Sequence, residues 1–156
     1  MLHFAEKIWN SLGAGLRRQL IWLASPKFIH GVSGVVLDNQ GRVLLLKHRF
    51  WKQQRWGMPS GMAHHGETPA ETLRRELREE TGLDARVTKL LRVTTRGRLT
   101  EFLMLAECTG TPEVRSVEVL EARFCERGDL PVDLLATHRE ALDWVRAGGG
   151  NAGLDI

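Results

Sequence analysis

Glu76, Glu79 and Glu80 stand at i, i+3 and i+4 in the run Arg75-Glu76-Leu77-Arg78-Glu79-Glu80-Thr81-Gly82-Leu83. On a helix this spacing brings three carboxylates onto neighbouring positions. Clustered acids repel one another unless something positive lies between them. A hard divalent cation takes oxygen ligands and meets that need, and such cations in enzymes bridge to phosphate oxygens and activate water. The competing account is a solvated charge run held by side-chain pairs along the helix. Glu71 with Arg74 and Arg75 fits it, whereas the three clustered glutamates do not.

The element that positions them has clear ends. Thr68 is a good N-cap, Pro69 suits the first helical position, and Glu71 completes a Thr-x-x-Glu capping box. Gly82 falls where a left-handed C-cap is expected. The signals predict a helix over Pro69–Thr81. At about 100° per residue, Ala70, Leu73 and Leu77 make one apolar stripe that must face a core. Glu76 and Glu80 lie beside the stripe, Glu79 a little further round, and Arg75 nearly opposite it. Acids that only solvate a helix sit opposite its buried face. These flank it, so they are expected to point into the groove where the helix meets the rest of the domain.

Gly61 and Glu67 precede this run at fixed separations, and together the stretch from Gly61 to Leu83 matches every defined position of the Nudix box. The chain therefore resembles the Nudix hydrolases. The resemblance implies an α/β fold, an α/β/α sandwich with a mixed β-sheet, here with an extra N-terminal helix. It also implies Mg²⁺-dependent cleavage, with Mn²⁺ as a possible substitute, of a nucleoside diphosphate linked to another moiety. On the same grounds Glu76, Glu79 and Glu80 are the expected metal ligands, joined by the backbone carbonyl of Ser60. The commonest form of the box follows two glycines; this chain has Ser60-Gly61, which leaves a carbonyl ligand in place while restricting the loop. Gly61, Glu67 and Arg75 are expected to support the site, the last two as a pair fixing loop to helix. The general base is left open among Glu79, Glu80 and, outside the box, Glu118, with Glu121 a further candidate.

Substrate contacts are expected from the surrounding loops. His48, Arg49, Arg96 and Arg98 are candidates for phosphate contacts, and Phe50, Trp51 and Trp56 for stacking on a base, although Trp56 equally suits a core. His64 and His65 are expected to be exposed and to bind no metal. A sensing module that binds a nucleotide without turnover has no need of all three glutamates. An enzyme acting on RNA 5′ ends would favour a more pronounced basic surface.

With 156 residues and a net charge of +3, the chain suits a single domain that attracts anionic small molecules. Lysine and arginine form no concentrated run, so duplex nucleic acid is not an expected partner. Cys108 and Cys125 lie in apolar, strand-like surroundings and are expected to be buried free thiols; no spacing suggests zinc. The apolar run Leu20–Ala24 is too short for a signal peptide and nothing approaches a membrane span, which favours a cytoplasmic protein.

The expected layout is a helical extension over 1–25, a Nudix domain over 28–147 and a flexible tail over 148–156. Phe4–Leu23 reads as an amphipathic helix weakened by Gly13 and Gly15. Trp9, Trp22, Arg17 and Arg18 would suit a membrane interface; packing on its own domain, or on a second subunit in a homodimer, is the commoner arrangement. Strands are predicted over His30–Leu37, Arg42–Lys47, Ala85–Thr95, Leu99–Cys108 and Val117–Cys125. Helices are predicted over Leu130–Leu135 and His138–Arg146.

Overall fold

The computed structural model describes residues 6, 9–53, 55–126, 128–149 and 154–155. Among these, α1 spans Ala14–Ala24, β1 Ile29–Leu37, β2 Val43–His48, β3 Trp56–Gly57, β4 Ser60–Met62 and α2 Pro69–Thr81. The chain continues through β5 Ala85–Arg96, β6 Leu99–Cys108, β7 Val119–Cys125, α3 Ala136–Arg146 and β8 Leu154–Asp155. The strands form one eight-stranded sheet in the order β3-β2-β1-β6-β5-β8, with β4 also paired to β1 and β7 to β2. β1 and β6 run parallel, in register from Ile29 opposite Leu99 to Leu37 opposite Glu107. The remaining pairings are antiparallel. The sheet is therefore mixed.

Both faces of its centre are covered. Val32, Val36, Leu44 and Leu46 point to one side and pack with Leu73 and Leu77 of α2. Val35, Val43 and Leu45 point to the other and pack with Trp56, Leu134 and Ala141, the last on α3. Alternate residues of β1 and β2 thus enter two separate cores, which is why these strands read as continuous apolar runs. The result is the expected α/β/α sandwich.

Helix α2 has the predicted limits. Thr68 Oγ1 accepts from the Glu71 amide while the Glu71 side chain accepts from the Thr68 amide, and Gly82 closes the helix at φ 70°. Residues 4, 5, 7 and 8 of the predicted N-terminal helix lie outside the described residues. Within the rest, Gly13 is extended, at φ −60° and ψ 150°, and caps α1 without a side chain to bond its amides. The helix therefore restarts at Ala14. Packing on its own domain is not observed, since α1 has no buried residue.

Other differences are local. Trp56–Gly57 and Ser60–Met62 are short strands where a loop was expected. Residues 116–119 turn, with the Val119 amide on Ser116 O, so β7 begins two residues later than predicted. The segment before α3 is a turn that bridges Leu134 to Trp56, in place of a short helix. Leu154 and Asp155, within the expected tail, pair with Leu90 and Lys89 of β5. Cys108 and Cys125 are buried free thiols, and burial pushes the Cys108 thiol up to about 11. Among the described residues no helix is long and apolar enough to cross a membrane.

Candidate active site

Strand β4 is pinned antiparallel to β1, with Ser60 opposite Ser33 and Gly61 opposite Val32. Gly61 leaves space for Glu76: a Cβ there would lie 1.9 Å from Glu76 Oε1 and would displace the carboxylate. The Glu76 carboxylate thus rests directly on the backbone of the strand. Between β4 and α2 the chain folds back over the helix, and Arg75 fastens it. Arg75 Nε donates to Glu67 Oε1 at 2.7 Å, and Nη2 donates to Glu67 Oε2 at 3.1 Å and to Met62 O at 2.9 Å. Its Nη1 donates to Glu76 Oε1 at 2.8 Å and to Glu79 Oε2 at 3.4 Å. Glu67 also accepts from the His64 amide and from Thr72 Oγ1. The helical wheel places Arg75 on the outward face, yet its side chain is only 19% exposed because the folded-back segment covers it.

This packing sets the charges. The Arg75 hydrogen bonds, with the His64 amide, hold the Glu67 carboxyl at about 2. Arg75 is raised, chiefly by Glu67. Glu76 is pushed up by burial, against the pull of Arg75. Glu80 stands apart from this network. It is 6% exposed, its Oε2 is buried without a hydrogen-bond partner, and its carboxyl is pushed up to about 8. Burial is the main cause, followed by the negative charges of Glu76, Glu118 and Glu79. A buried carboxylate oxygen with no partner is costly unless a cation or proton satisfies it.

Among the described residues, no three His, Cys, Asp or Glu side chains are arranged as a ready-made cation cage. The reason is visible in the contacts, since Glu76 and Glu79 both face the Arg75 guanidinium. The donor set nevertheless suits a hard cation. It comprises carboxylate oxygens on adjacent helical turns, one of them orphaned, beside a backbone strand that a side chain would block.

These groups line a groove of about 570 Å³. Ser60, Gly61, Arg75, Glu76, Glu79 and Glu80 form one wall; Glu118, Ser116, Trp51 and His48 approach from other elements. The Arg49 amide donates to Glu118 O and Arg49 Nε to Val117 O, so its side chain braces the segment that carries Glu118. His64 lines the groove mouth with its side chain 67% exposed, and His65 is exposed. Trp56 is in the core and Phe50 is on the surface. Glu121 pairs with Lys47 across β2 and β7, outside the lining of the groove.

Sequence reasoning did not anticipate the far wall. Ser33 Oγ donates to Glu101 Oε1 at 3.0 Å, and Glu101 and His138 border both the groove and a second, polar cavity of about 260 Å³. Arg92, Thr94 and Arg96 of β5 line that cavity, facing Thr137 and Glu140 of α3. Arg96 is therefore beside the groove, while Arg98 lies at the β5–β6 turn. The Trp51 ring stacks on His48 at 3.9 Å and meets His138 edge-on at 5.7 Å. His138 Nδ1 accepts from the Met58 amide at 2.9 Å, which leaves its proton on Nε2. Burial holds both imidazoles down, His48 to about 4, so they are neutral at neutral pH.

Comparison with known proteins agrees with this architecture. The NUDIX domain family matches residues 27–145. Human 8-oxo-dGDP phosphatase NUDT18 is 36% identical over 111 residues, which cover 67% of this chain and 34% of that protein. The match thus spans about a third of that relative's length. An RNA pyrophosphohydrolase of Pseudoalteromonas translucida is 30% identical over 128 residues, 76% of this chain and 70% of that one. Among solved structures, a MutT NUDIX hydrolase from Burkholderia pseudomallei superposes with a TM-score of 0.66 at 25% identity, over 78% of this chain and 98% of that one.

Proposed function

The chain belongs to the NUDIX domain family, and from that premise we propose that it is a metal-dependent pyrophosphohydrolase of nucleoside diphosphate derivatives. Nucleoside di- and triphosphates, nucleotide sugars and ADP-ribose share the linkage in question. The observation that carries this reading is the convergence of Glu76, Glu79, Glu80 and Glu118 on one groove, with Glu80 Oε2 buried and unpartnered.

Cleavage of a diphosphate by water needs neutralised phosphate oxygens, a positioned water and an acceptor for its proton. A bound Mg²⁺, or Mn²⁺ on the same donors, would supply the charge neutralisation and lower the pKa of water. Glu76, Glu79 and Glu80, with the Ser60 carbonyl, are the groups that would hold it. To hold it, Glu76 and Glu79 would turn from the Arg75 guanidinium, and Glu80 would have to be ionised. Arg75 and Glu67 keep the covering segment in place, and Gly61 leaves room for the Glu76 carboxylate. Glu118 approaches from outside the helix and is the favoured proton acceptor, with Glu79 and Glu80 the alternatives within it. Arg49 positions Glu118 through the Val117 and Glu118 carbonyls.

The rest of the substrate runs past Ser33 and Glu101 into the polar cavity. Trp51 offers a stacking face at its entrance. Arg96 and Arg92 offer donors for phosphate or carbonyl oxygens, and Arg98, at the β5–β6 turn, is a candidate contact for a longer anionic substrate. The likeness to RNA pyrophosphohydrolases supports a second reading, in which the nucleoside is the first of an RNA chain. Both readings are tested together by incubating the protein and Mg²⁺ with 8-oxo-dGDP, GDP, ADP-ribose, UDP-sugars and 5′-triphosphorylated RNA, with products identified by mass. Cleavage of a phosphoanhydride bond in any of them supports hydrolysis and names the substrate class. Binding without any product would overturn it in favour of a sensing module.

A further inference from the structure

Helix α1 is mostly apolar, and none of its residues is buried. Trp22 is 64% exposed and Leu23 69%, beside exposed Leu16, Leu20 and Ile21. The surface continues through Phe28 and Ile29, 48% and 56% exposed, into the start of β1. Helices of soluble domains bury an apolar stripe against something, and a contiguous exposed patch of this kind marks an interaction surface. Its charge identifies the occupant. Arg17, Arg18 and Lys27 are the only charged residues between positions 9 and 37, and no acid occurs in that stretch. Lys27 Nζ lies 4.3 Å from the Trp22 ring centre and bonds the Trp22 and Ser25 carbonyls, which places a cation and an indole at one spot.

A second copy of the chain fits poorly. A two-fold interface sets the same patch against itself, and this stretch offers its cations no acid to pair with. An anionic lipid surface suits both features, taking apolar side chains among its acyl chains and arginines and lysine at its headgroups. Eleven residues rise about 16 Å, roughly half of a hydrocarbon core, so the helix lies in the interface and does not span it.

We propose that α1, with the adjoining Lys27-Phe28-Ile29, docks the enzyme on anionic membranes as an in-plane helix. This does not depend on the substrate or on the catalytic reading.

The full chain is sedimented with phosphatidylcholine vesicles, with and without phosphatidylglycerol. Binding is expected only to the anionic vesicles and is weakened by salt. Arg17→Gln/Arg18→Gln lowers the partition coefficient about 25-fold, at about fivefold per charge. Trp22→Ala/Leu23→Ser lowers it tenfold or more with every charge retained. Both variants keep the turnover of the parent in solution. Absence of binding to anionic vesicles overturns the proposal. So does undiminished binding of Trp22→Ala/Leu23→Ser, which would mean surface attraction without insertion. A dimer seen by light scattering that the same variant dissociates would assign the surface to a second copy.

Discussion

Replacing Glu80 by glutamine gives a stability change that grows with pH in the metal-free protein and is opposed by bound metal. Glu80 is 6% exposed and its carboxyl is held at about 8 in the fold, against an ordinary value of 4.5. The folded-state value is raised, so between these two values the native chain keeps a proton that the unfolded chain has lost. Stability therefore falls as pH rises through this window. Integrating the two titrations from about pH 5 to about pH 9 gives a loss of about 4 kcal/mol, of which about 2.5 kcal/mol has occurred by pH 7. Glutamine has no charge to bury, and titrating groups remote from Glu80 are common to both proteins and cancel in the difference, whereas the repulsion from Glu76, Glu79 and Glu118 is part of the effect measured. Urea unfolding in EDTA across that range is the assay, with midpoints converted through the common slope. The variant is expected to gain on the parent by about 4 kcal/mol from the acid to the alkaline end. Added Mg²⁺ opposes this gain: at a hundredfold excess over its dissociation constant it stabilises the parent by about 2.7 kcal/mol and the variant scarcely at all. Parallel pH profiles for the two proteins in EDTA would refute the reasoning, because Glu80 would then carry no buried charge to lose.

Three further outcomes follow from the packing around the groove. Gly61→Ala places a methyl group 1.9 Å from the present position of Glu76 Oε1; the displaced carboxylate is expected to cost about a hundredfold in kcat with the circular dichroism spectrum unchanged. Glu67→Gln removes the charge that holds the Arg75 fork, and is expected to lower kcat about tenfold while shifting the Mg²⁺ dependence little, as read from metal titrations of turnover. Leu77→Ala empties a fully buried position between α2 and the sheet, and is expected to cost about 2–5 kcal/mol in urea unfolding.

Helix α2 was legible in the sequence because its signals are local. Thr68, Pro69, Glu71 and Gly82 mark its ends within a few residues, and Leu73 and Leu77 fix the face it buries. Arg75 escaped that logic, since the helical wheel sees one helix and not the segment folded over it. Strands β3 and β4 carry no periodic pattern in two and three residues, and exist because β2 and β1 offer them partners. Glu101 and Ser33 lie 68 positions apart. They meet through the parallel pairing of β1 with β6, a long-range choice that no local run of residues encodes. His138 reaches the groove because α3 begins at Ala136, earlier than its apolar spacing suggested. The apolar character of α1 could be read directly, whereas the absence of a buried residue on it required the tertiary structure.

Glu76, Glu79 and Glu80 are proposed to hold the divalent cation that hydrolysis requires. Mn²⁺ binding followed by electron paramagnetic resonance, with turnover measured on the same samples of parent and Glu80→Gln, tests this most directly. The parent is expected to bind Mn²⁺ and to turn over in proportion to its occupancy, with both properties lost in the variant. Parent-like binding and turnover in Glu80→Gln would contradict the account.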